Sequence, residues 1–447
     1  MDFDLTDEQV MLRDTVRDLL ARNYDAESRL KITDSELGWS RDVWRQLADL
    51  GVLGLSFSEE DGGVGAGPVE TMVVLEEVGR RLAPEPILDA VLVPGGLVAT
   101  AGSAEQRQRI LPEVAAGAKL LAFAHAEPGV RWPSTEPATT AAAAVPSVSS
   151  AGPSVVTQAA ASGPVATAVF DAASAGPSGV TQAAASGPVA TAVFDAASAG
   201  PSVVTQAAAS GPVATAGGDS YTLTGVKNPV PHGDSADELV VSAALPDGGV
   251  GLFLVAPNAT GVVRKPYRTV DGQRGAQLEL DNAPAERLGA ADAAEAIASV
   301  LGHAQAGLCA ESVGAMAEAL RLTTEYLKQR KQFGVTLSKF QTLTQRAANM
   351  YVSLELARSM SLYATASLVD GAYDPVIASR ARLQVSRAAR HIGQEAIQMH
   401  GGIGVTAEYP VGHYVARLTA IERTLGGGLE HLRVLSARVG DYELAEL

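Results

Sequence analysis

Two short segments in the last third of the chain combine residue types that could bind a phosphorylated ligand. The first reads Arg-Lys-Gln-Phe-Gly from Arg330 to Gly334 and is followed by Phe340 and Gln341; with Lys328 it holds the densest positive charge of the 447-residue sequence. An arginine can bind a phosphate through two parallel hydrogen bonds. The same cations would also suit the negative end of a helix dipole, so a solvated helix end is the alternative interpretation.

The second segment is a glycine-rich turn, Gln-Met-His-Gly-Gly-Ile-Gly at residues 398–404, followed by Glu-Tyr-Pro at 408–410. Three glycines within four residues, directly after a helical stretch, let a ligand approach the backbone closely because no Cβ stands in the way. A plain helix C-cap and turn would use the same residues. Neither segment is specific by itself, so the prediction depends on their combination.

Other familiar catalytic patterns are missing from the sequence. It contains no Gly-x-Ser-x-Gly motif, and its one cysteine, Cys309, lies in an Ala- and Leu-rich stretch typical of a helical core. His400 and His413 are separated by the glycine turn, so they lack the spacing of metal ligands on one helical face. We therefore expect no disulfide and no metal site.

Composition narrows the class of protein. With 34 Lys and Arg against 50 Asp and Glu, the net charge is −16, and an acidic surface of this kind repels nucleic acid. The N-terminus is rich in Asp and Glu, unlike a signal or transit peptide. The longest apolar stretch, at 87–101, is too short and too interrupted to span a bilayer. We expect a soluble, cytoplasmic protein that binds no nucleic acid and has no membrane span.

The elements that must position the two segments occur in a helical, then β, then helical order. Thr6 and Gln9 fit a capping box ahead of apolar residues at helical spacing. Further predicted helices cover 41–50, 68–81 and 104–116, and strand-like runs cover 120–125, 221–225, 238–243, 251–255 and 277–280. From residue 291 onward the pattern is helical again. We predict an N-terminal helical domain at 1–118, a middle β domain at 119–290 and a C-terminal helical domain at 291–447.

A near-identical repeat interrupts the strand-like region. A 24-residue unit begins at Ala151, recurs at Ala175 with one substitution, and begins again at Ala199 before it breaks off after Ala216. The unit contains no Lys or Arg and few large apolar residues, so each copy can bury little surface. We predict an insertion at about 141–217, irregular on the surface rather than a small solenoid of stacked strands, and assign it no chemistry.

Taken together, the two segments resemble the acyl-CoA dehydrogenase family. The pattern is Arg-x-Gln-Phe-Gly, then Phe-Gln six and seven residues after Gly334, then Gln-x-x-Gly-Gly-x-Gly about 60 residues later; the glycine-rich loop at 51–65 also resembles that family. The resemblance covers nearly the whole chain except the insertion. It implies an α+β fold with an N-terminal helical domain, a middle β domain and a C-terminal four-helix bundle.

Within the family, four stretches look most like the small subunit of pimeloyl-CoA dehydrogenase-like heteromeric enzymes: 1–65, 122–127, 232–237 and 412–414. In such enzymes FAD lies between the β domain and the C-terminal helices, and a neighbouring subunit holds part of the dinucleotide. The resemblance assigns seven residues of this chain to the diphosphate and adenine end of FAD: Arg330, Gln332, Phe333, Gln341, Gln398, Gly401 and Gly402.

The family's reaction removes hydrogens from Cα and Cβ of an acyl-CoA, with a carboxylate taking the α proton and the flavin taking the hydride. The base is usually a Glu in a Tyr-Glu-Gly-Thr motif, and at that place this chain has Leu425. The alternative base position, 26 residues before Arg330, is Ala304, and on a regular helix His303 and Gln305 are expected to face elsewhere. The flavin-contacting Trp-Ile-Thr segment is also replaced, by Pro-Val-Pro at 229–231.

The catalytic base is therefore not identified by the sequence. Glu311, Glu422, Glu430 and His400 are candidates, but each is better explained as a surface charge or as a polar group satisfied in the core. The favoured hypothesis is a subunit that acts on an acyl-CoA, pairs with a homologous subunit as α2β2, and passes electrons to an electron-transfer-flavoprotein-like acceptor. The partner would supply the Glu. The alternatives are a scaffold that binds no FAD and a self-sufficient homotetramer with a relocated base.

Overall fold

The computed structural model describes residues 4–130, 132, 137–143, 220–290, 292–369, 371 and 373–441. The 24-residue repeat lies outside these ranges, so its predicted irregular surface structure stays a prediction. Within them the predicted helical, β, helical order of the chain is confirmed.

The N-terminal part is helical. Its helices are α1 Asp7–Asn23, α2 Ala26–Asp34, α3 Arg41–Asp49, α4 Pro68–Arg81, a π-helix at Ile87–Leu92, α5 Val93–Ala101 and α6 Ala104–Ala115. Side-chain caps fix several starting points: Thr6 with Gln9 forms the predicted capping box, and Pro68 begins α4 with a preset φ. The predicted helices at 41–50, 68–81 and 104–116 agree with α3, α4 and α6 to within one residue.

The middle part is one seven-stranded sheet. Its strands are β1 Leu121–Ala124, β2 Thr140–Ala143, β3 Ser220–Pro231, β4 Glu238–Ala244, β5 Val250–Val255, β6 Val262–Arg268 and β7 Arg274–Leu288. The order is β1-β4-β2-β3-β7-β5, β6 pairs with β7, and β5 also pairs with β4, which closes the sheet on itself. Its interior is a separate apolar cluster that includes Val230, Val241 and Leu278.

The C-terminal part contains the long helices. They are α7 Ala294–Gln329, α8 Gln341–Val369, α9 Pro375–His400, α10 Val411–Arg423 and α11 Gly428–Ala437, with a short hairpin of β8 Lys331–Gln332 and β9 Val335–Thr336 after α7. Helices α7 to α10 pack together around small residues such as Ala315, Ala357 and Ala381, which is the predicted four-helix bundle. Among the residues described, no helix is both long and apolar enough to cross a membrane.

Three local expectations need correction. Residues 141–143, assigned from the sequence to the insertion, form most of β2 and pair with β3, although alanine has little preference for strands. Strand β6 was not predicted because its Arg, Lys and Pro break the apolar alternation. Helix α2 and the helical stretch at 87–101 were also missed, the latter because its mostly apolar sequence has no continuous polar face to mark a helical period.

Candidate functional site

The hairpin after α7 presents one aromatic side chain to solvent. Lys331 pairs with Thr336 and Gln332 with Val335, and the two turn residues, Phe333 and Gly334, have φ of 54° and 82°. A two-residue turn with positive φ at both positions suits glycine and costs a side-chain-bearing residue strain. Phe333 has this strained conformation although its side chain is 91% exposed, so burial of the ring does not offset the strain.

The glycine turn at the end of α9 contains glycines that serve different purposes. Gly401 has φ 66° and ψ −143°, a conformation that only glycine adopts easily, and a Cβ on Gly404 would lie 3.0 Å from the His400 Cβ. Gly402 has neither constraint, because its φ is outside the left-handed region and no atom lies within 4 Å of the place of a Cβ. The fold does not require glycine at 402, which leaves bare backbone facing outward.

An aromatic stack joins the hairpin to the glycine turn. Tyr326 lies on the last turn of α7, and its carbonyl accepts a 2.8 Å hydrogen bond from the Arg330 N–H. Its ring stacks on His400, which directly precedes Gly401, with centroids 4.5 Å apart. Two motifs that are about 60 residues apart in the sequence are therefore neighbours in the fold.

The seven residues predicted to bind the cofactor are all exposed to solvent. No side chain among them makes a hydrogen bond or ion pair with another described residue. Gln341 follows Phe340, whose ring packs edge-on against Phe333 at 6.2 Å. We call this set the outer cradle: Arg330, Gln332, Phe333, Gln341, Gln398, Gly401 and Gly402. Its exposed guanidinium, amides and bare backbone suit a diphosphate and an adenine that approach from outside the chain.

The two positions where the base is expected hold apolar side chains in the fold as well. Leu425 has φ 54° and packs against the same apolar cluster that buries Ala304. The turn around Leu425 is fixed by Arg382, which is 1% exposed and donates to the carbonyls of Ile421 at 2.9 Å and Thr424 at 2.8 Å. The indole of Trp132 lies directly over Gly426. Packed side chains therefore surround the position at which the resemblance places the base.

The region between the β domain and the C-terminal helices contains a buried ion-pair group. Arg417 of α10 donates to Glu311 of α7 at 2.6 and 3.0 Å, to Asp271 at 2.8 Å and to Gln273 at 2.8 Å. The side chains of Glu311 and Asp271 are 3% and 1% exposed. We call these four residues the inner junction.

Charge within the inner junction controls the protonation of its neighbours. Burial works to raise the pKa of Asp271, but Arg417 and the hydrogen bonds to the carboxylate hold it below its usual value. Burial, helped by Arg417, lowers the pKa of His232 to about 4, and neither ring nitrogen of His232 has a hydrogen-bond partner among the described residues. At neutral pH Asp271 is therefore ionised beside the Arg417 guanidinium, and His232 is a neutral imidazole.

The other candidate bases are engaged elsewhere, as the sequence indicated. Glu422 forms a 2.7 Å ion pair with Arg390, and Glu430 accepts from the Gly427 N–H at 3.2 Å at the start of α11. His400 uses Nδ1 to donate to the Ala396 carbonyl at 2.8 Å. Glu311 is held by Arg417 and is a core-satisfied charge rather than a free base.

One orientation expected from the sequence is wrong. His303 was expected to face away from Ala304, but both residues line the same cavity. The exposed side chain of His303 lies at the mouth of the cavity, and Ala304 lies inside it. Gln305 does face elsewhere, towards α8 and α9.

Three residues that shape the site were not found by sequence reasoning. Arg417, Arg382 and Trp132 are isolated in the sequence, and an isolated arginine in an amphipathic helix usually lies on the surface. The one available signal was Glu311, a carboxylate inside a long Ala- and Leu-rich helix, which requires a buried cation. Within the described ranges, no group of three or more His, Cys, Asp or Glu is arranged to hold a metal ion.

Comparison with known proteins matches both ends of the chain to one family. Residues 6–118 match the acyl-CoA dehydrogenase N-terminal domain, and residues 294–440 match the acyl-CoA dehydrogenase C-terminal domain. The acyl-CoA dehydrogenase FadE27 of Mycobacterium tuberculosis is 25% identical over 100% of this chain and 99% of that protein.

Two solved structures share the fold over almost their full length. A variant of the Tcur3481-Tcur3483 steroid ACAD has a TM-score of 0.75 and 28% identity, covering 97% of this chain and 98% of that chain. The ChsE4-ChsE5 complex from Mycobacterium tuberculosis has a TM-score of 0.76 and 23% identity, covering 99% and 100%.

Proposed function

The chain belongs to the acyl-CoA dehydrogenase family, and from this premise we propose that it is one subunit of a heteromeric enzyme whose catalytic base comes from a homologous partner subunit. Acyl-CoA dehydrogenases are FAD-dependent oxidoreductases that introduce an α,β double bond into an acyl-CoA thioester. When bound, FAD accepts the hydride that leaves Cβ of the substrate. The role of this chain is to hold the nucleotide end of that cofactor and to complete the assembly.

A single contrast carries the proposal. The outer cradle offers a guanidinium at Arg330 that makes no ion pair with a described residue, a strained ring at Phe333 that is 91% exposed despite its edge contact with Phe340, and bare backbone at Gly402. Arg330 would bind the diphosphate, Phe333 would pack on the adenine, and the turn at 401–402 would approach the ADP part. These groups fit the nucleotide end of FAD held for a neighbouring subunit.

The chain's own interior fits the reacting end of the cofactor poorly. Leu425 and Ala304 offer no group that can take a proton, and Glu311 is bound to Arg417 at 2.6 Å. Arg382 and Trp132 occupy the corner at Gly426, and the inner junction links the turn at residues 271–273 to α7 and α10 through ion pairs and hydrogen bonds. These features support a carboxylate on the partner as the group that takes the proton.

The partner and substrate are proposed from the relatives. The Tcur3481-Tcur3483 protein is named a steroid ACAD, and ChsE4-ChsE5 is named as a complex. By analogy we propose an α2β2 assembly with a homologous subunit, a steroid or fatty acyl-CoA thioester as substrate, and an electron-transfer flavoprotein as acceptor. The outward direction of the outer cradle supports shared flavin sites at the subunit interface.

The decisive experiment expresses the chain alone and together with a homologous acyl-CoA dehydrogenase subunit. We expect the chain alone to leave flavin absorbance unchanged when an acyl-CoA is added without oxygen, and the complex to be bleached. A partner variant with its base changed to Gln should bind FAD and remain unbleached. Bleaching by the chain alone would contradict the proposal and favour the self-sufficient homotetramer.

A second measurement separates this proposal from a scaffold that binds no FAD. In the complex, Arg330→Ala on this chain should lower the flavin content, because the guanidinium would have lost its phosphate. A complex that keeps all its flavin after Arg330→Ala and Phe333→Ala would instead assign the whole cofactor site to the partner.

A further inference from the structure

The outer cradle consists of two parts that come from different places in the sequence. One part is the hairpin after α7 together with Gln341, and the other is the glycine turn after α9. Among the described residues, no hydrogen bond or ion pair joins a residue of 330–341 to a residue of 398–405. A ligand that touches both parts loses binding free energy if it must first bring them together, so something else has to fix their separation.

Tyr326, on the last turn of α7, contacts both parts. Its carbonyl accepts the 2.8 Å hydrogen bond from the Arg330 N–H, which sets the direction in which the chain leaves the helix. Its ring stacks on His400, directly before Gly401, with the two planes inclined by 29°. The same ring packs edge-on against Tyr409, shortly after the glycine turn, at a centroid distance of 6.1 Å. Tyr326 therefore holds the hairpin through its backbone and the glycine turn through its ring.

His400 and Tyr409 also contact each other, with ring centroids 4.9 Å apart. The His400 side chain is 4% exposed, and its Nδ1 donates to the Ala396 carbonyl at 2.8 Å, so the ring cannot rotate without losing that bond. Offset and edge-on contacts between aromatic rings stabilise packing beyond the burial of their surface. We call Tyr326, His400 and Tyr409 the aromatic clamp, because they hold the glycine turn at both of its ends.

The aromatic clamp uses the flat ring of His400. Burial lowers the pKa of His400, so the imidazole is neutral at neutral pH, and its Nε2 has no hydrogen-bond partner among the described residues. A buried acceptor without a partner is costly, and a phenylalanine ring would fill the same place without that cost. Within the part of the chain that the structure describes, the contribution of His400 is therefore its packing against the two tyrosines.

We propose that Tyr326 is the positioning residue of the outer cradle, and that the aromatic clamp holds the hairpin and the glycine turn at the separation that one adenine dinucleotide requires. Tyr326 acts through Arg330 on one side and through the turn at 401–402 on the other. The inference rests on the proposed role of the outer cradle in binding FAD. It goes further by assigning part of the affinity to three rings that need not touch the ligand.

The first test measures FAD binding by flavin-free complexes that carry Tyr326→Ala or Tyr326→Phe in this chain. We expect Tyr326→Ala to weaken binding roughly tenfold, because its contacts with His400 and Tyr409 are lost. Tyr326→Phe keeps the ring and should bind FAD as the parent does. Tyr326→Leu, which keeps most of the bulk without the ring, serves if the alanine variant does not fold.

Two results would overturn the proposal at this stage. Unchanged affinity in Tyr326→Ala, or in Tyr326→Leu where that variant replaces it, would mean that the ring does not position the cradle. An equal loss in Tyr326→Phe would assign the effect to the hydroxyl group instead of the ring.

The second test asks whether Tyr326 and His400 act as one unit. His400→Ala should weaken FAD binding as Tyr326→Ala does, whereas His400→Phe should keep the affinity and leave the melting temperature at or above that of the parent. The double variant Tyr326→Ala/His400→Ala should bind no more weakly than either single variant, because each change removes the same contact. Losses that multiply in the double variant would contradict the aromatic clamp.

Tyr373→Ala is the control for losing an aromatic contact on α7. Tyr373 packs against the other end of this helix, where a Cβ on Gly302 would overlap its ring. We expect a lower melting temperature and unchanged FAD affinity. A loss of affinity as large as that of Tyr326→Ala would mean that general destabilisation of the helical bundle causes the effect, and the positioning role would be wrong.

Arg330→Ala, measured in the same series, separates failure of this inference from failure of the proposed function. If Arg330→Ala weakens FAD binding and Tyr326→Ala does not, the aromatic clamp is wrong and the proposed function stands. If neither variant weakens FAD binding, the partner holds the whole cofactor, and both the clamp and the nucleotide-binding role of this chain are wrong.

Discussion

The outer cradle and the inner junction each contain an arginine, but the two arginines are in opposite environments. In the inner junction, Arg417 is surrounded by two buried carboxylates and an amide, all within 3.0 Å. In the outer cradle, Arg330 is exposed beside Phe333, and its guanidinium makes no ion pair with a described residue. Arg417 is therefore paired within its own chain, whereas Arg330 is exposed and can bind a group from outside the chain.

The difference teaches how to separate structural from functional residues when the usual catalytic group is missing. A buried charge that is fully paired has its explanation inside the fold. A residue that bears strain and stays exposed does not, and Phe333 combines positive φ with 91% exposure. This criterion supports the proposal that the outer cradle, where another subunit could reach it, is the functional surface of the chain.

The largest expected effect belongs to the inner junction. Arg417→Ala would leave Glu311 and Asp271 buried without the guanidinium that both carboxylates bind, and should lower the free energy of unfolding by about 3–5 kcal/mol. Urea unfolding of the purified chain measures it. The control is Arg390→Ala, which removes a pair with Glu422 in which the arginine is 61% exposed, and should cost less than about 1 kcal/mol. If the two variants lowered the free energy of unfolding equally, the inner junction would not be a stabilising ion-pair group.

The next largest effect belongs to the outer cradle and should appear only in flavin binding. Arg330→Ala should weaken FAD binding to the complex by roughly 10–100-fold, the value of a charge-assisted pair of hydrogen bonds. The free energy of unfolding of this chain should change by less than about 0.5 kcal/mol. Fluorescence titration of the flavin-free complex measures the first, and urea unfolding the second.

The matched control for Arg330→Ala is Lys339→Ala. Lys339 is another exposed cation close to the hairpin, so its removal changes the charge of the surface by the same amount. We expect flavin affinity to be nearly unaffected. Equal losses in both variants would mean that general electrostatic attraction, rather than a specific phosphate contact, accounts for the effect.

Much of the fold could be predicted from the sequence, because its elements carry local signals. Helix α4 begins at a proline and β5 is a continuous apolar run, so both were predicted almost to the residue. Strand β2 could not be predicted, since Thr140–Ala143 gains its strand conformation from pairing with β3 and a bridge to β4. Because β3 lies about 80 residues further along the chain, the four residues of β2 contain no local signal of this pairing.

The outer cradle and the inner junction also differ in how much of each could be predicted from the sequence. The outer cradle consists of contiguous motifs, so its seven residues could be proposed from spacing and resemblance, and its contact with FAD remains a prediction. The inner junction joins residues 271, 273, 311 and 417 from three separate elements. Only the folded chain brings them together, so no local pattern could have indicated Arg417 as the centre of the group.

A smaller effect tests the strain at Phe333. Replacing the residue by glycine relieves the positive φ, whereas alanine keeps it, so Phe333→Gly should be more stable than Phe333→Ala by about 1 kcal/mol. Both should weaken flavin binding alike, because both remove the ring. Thermal unfolding and flavin titration of the two variants give the comparison. If alanine were as stable as glycine, the turn would not be strained, and the exposure of Phe333 would lose its significance.

The smallest effect tests the bare backbone at Gly402. An added Cβ meets no atom of the described residues within 4 Å, so Gly402→Ala should leave the free energy of unfolding within about 0.5 kcal/mol of the parent. The same methyl group would stand between the backbone and a nucleotide, and should weaken flavin binding roughly threefold, or about 0.7 kcal/mol. Gly440→Ala is the control, since a Cβ there also meets no atom within 4 Å but lies outside the cradle. A change confined to flavin affinity and to Gly402 can come only from a group outside this chain, whereas equal behaviour of the two variants would leave Gly402 as an ordinary turn glycine.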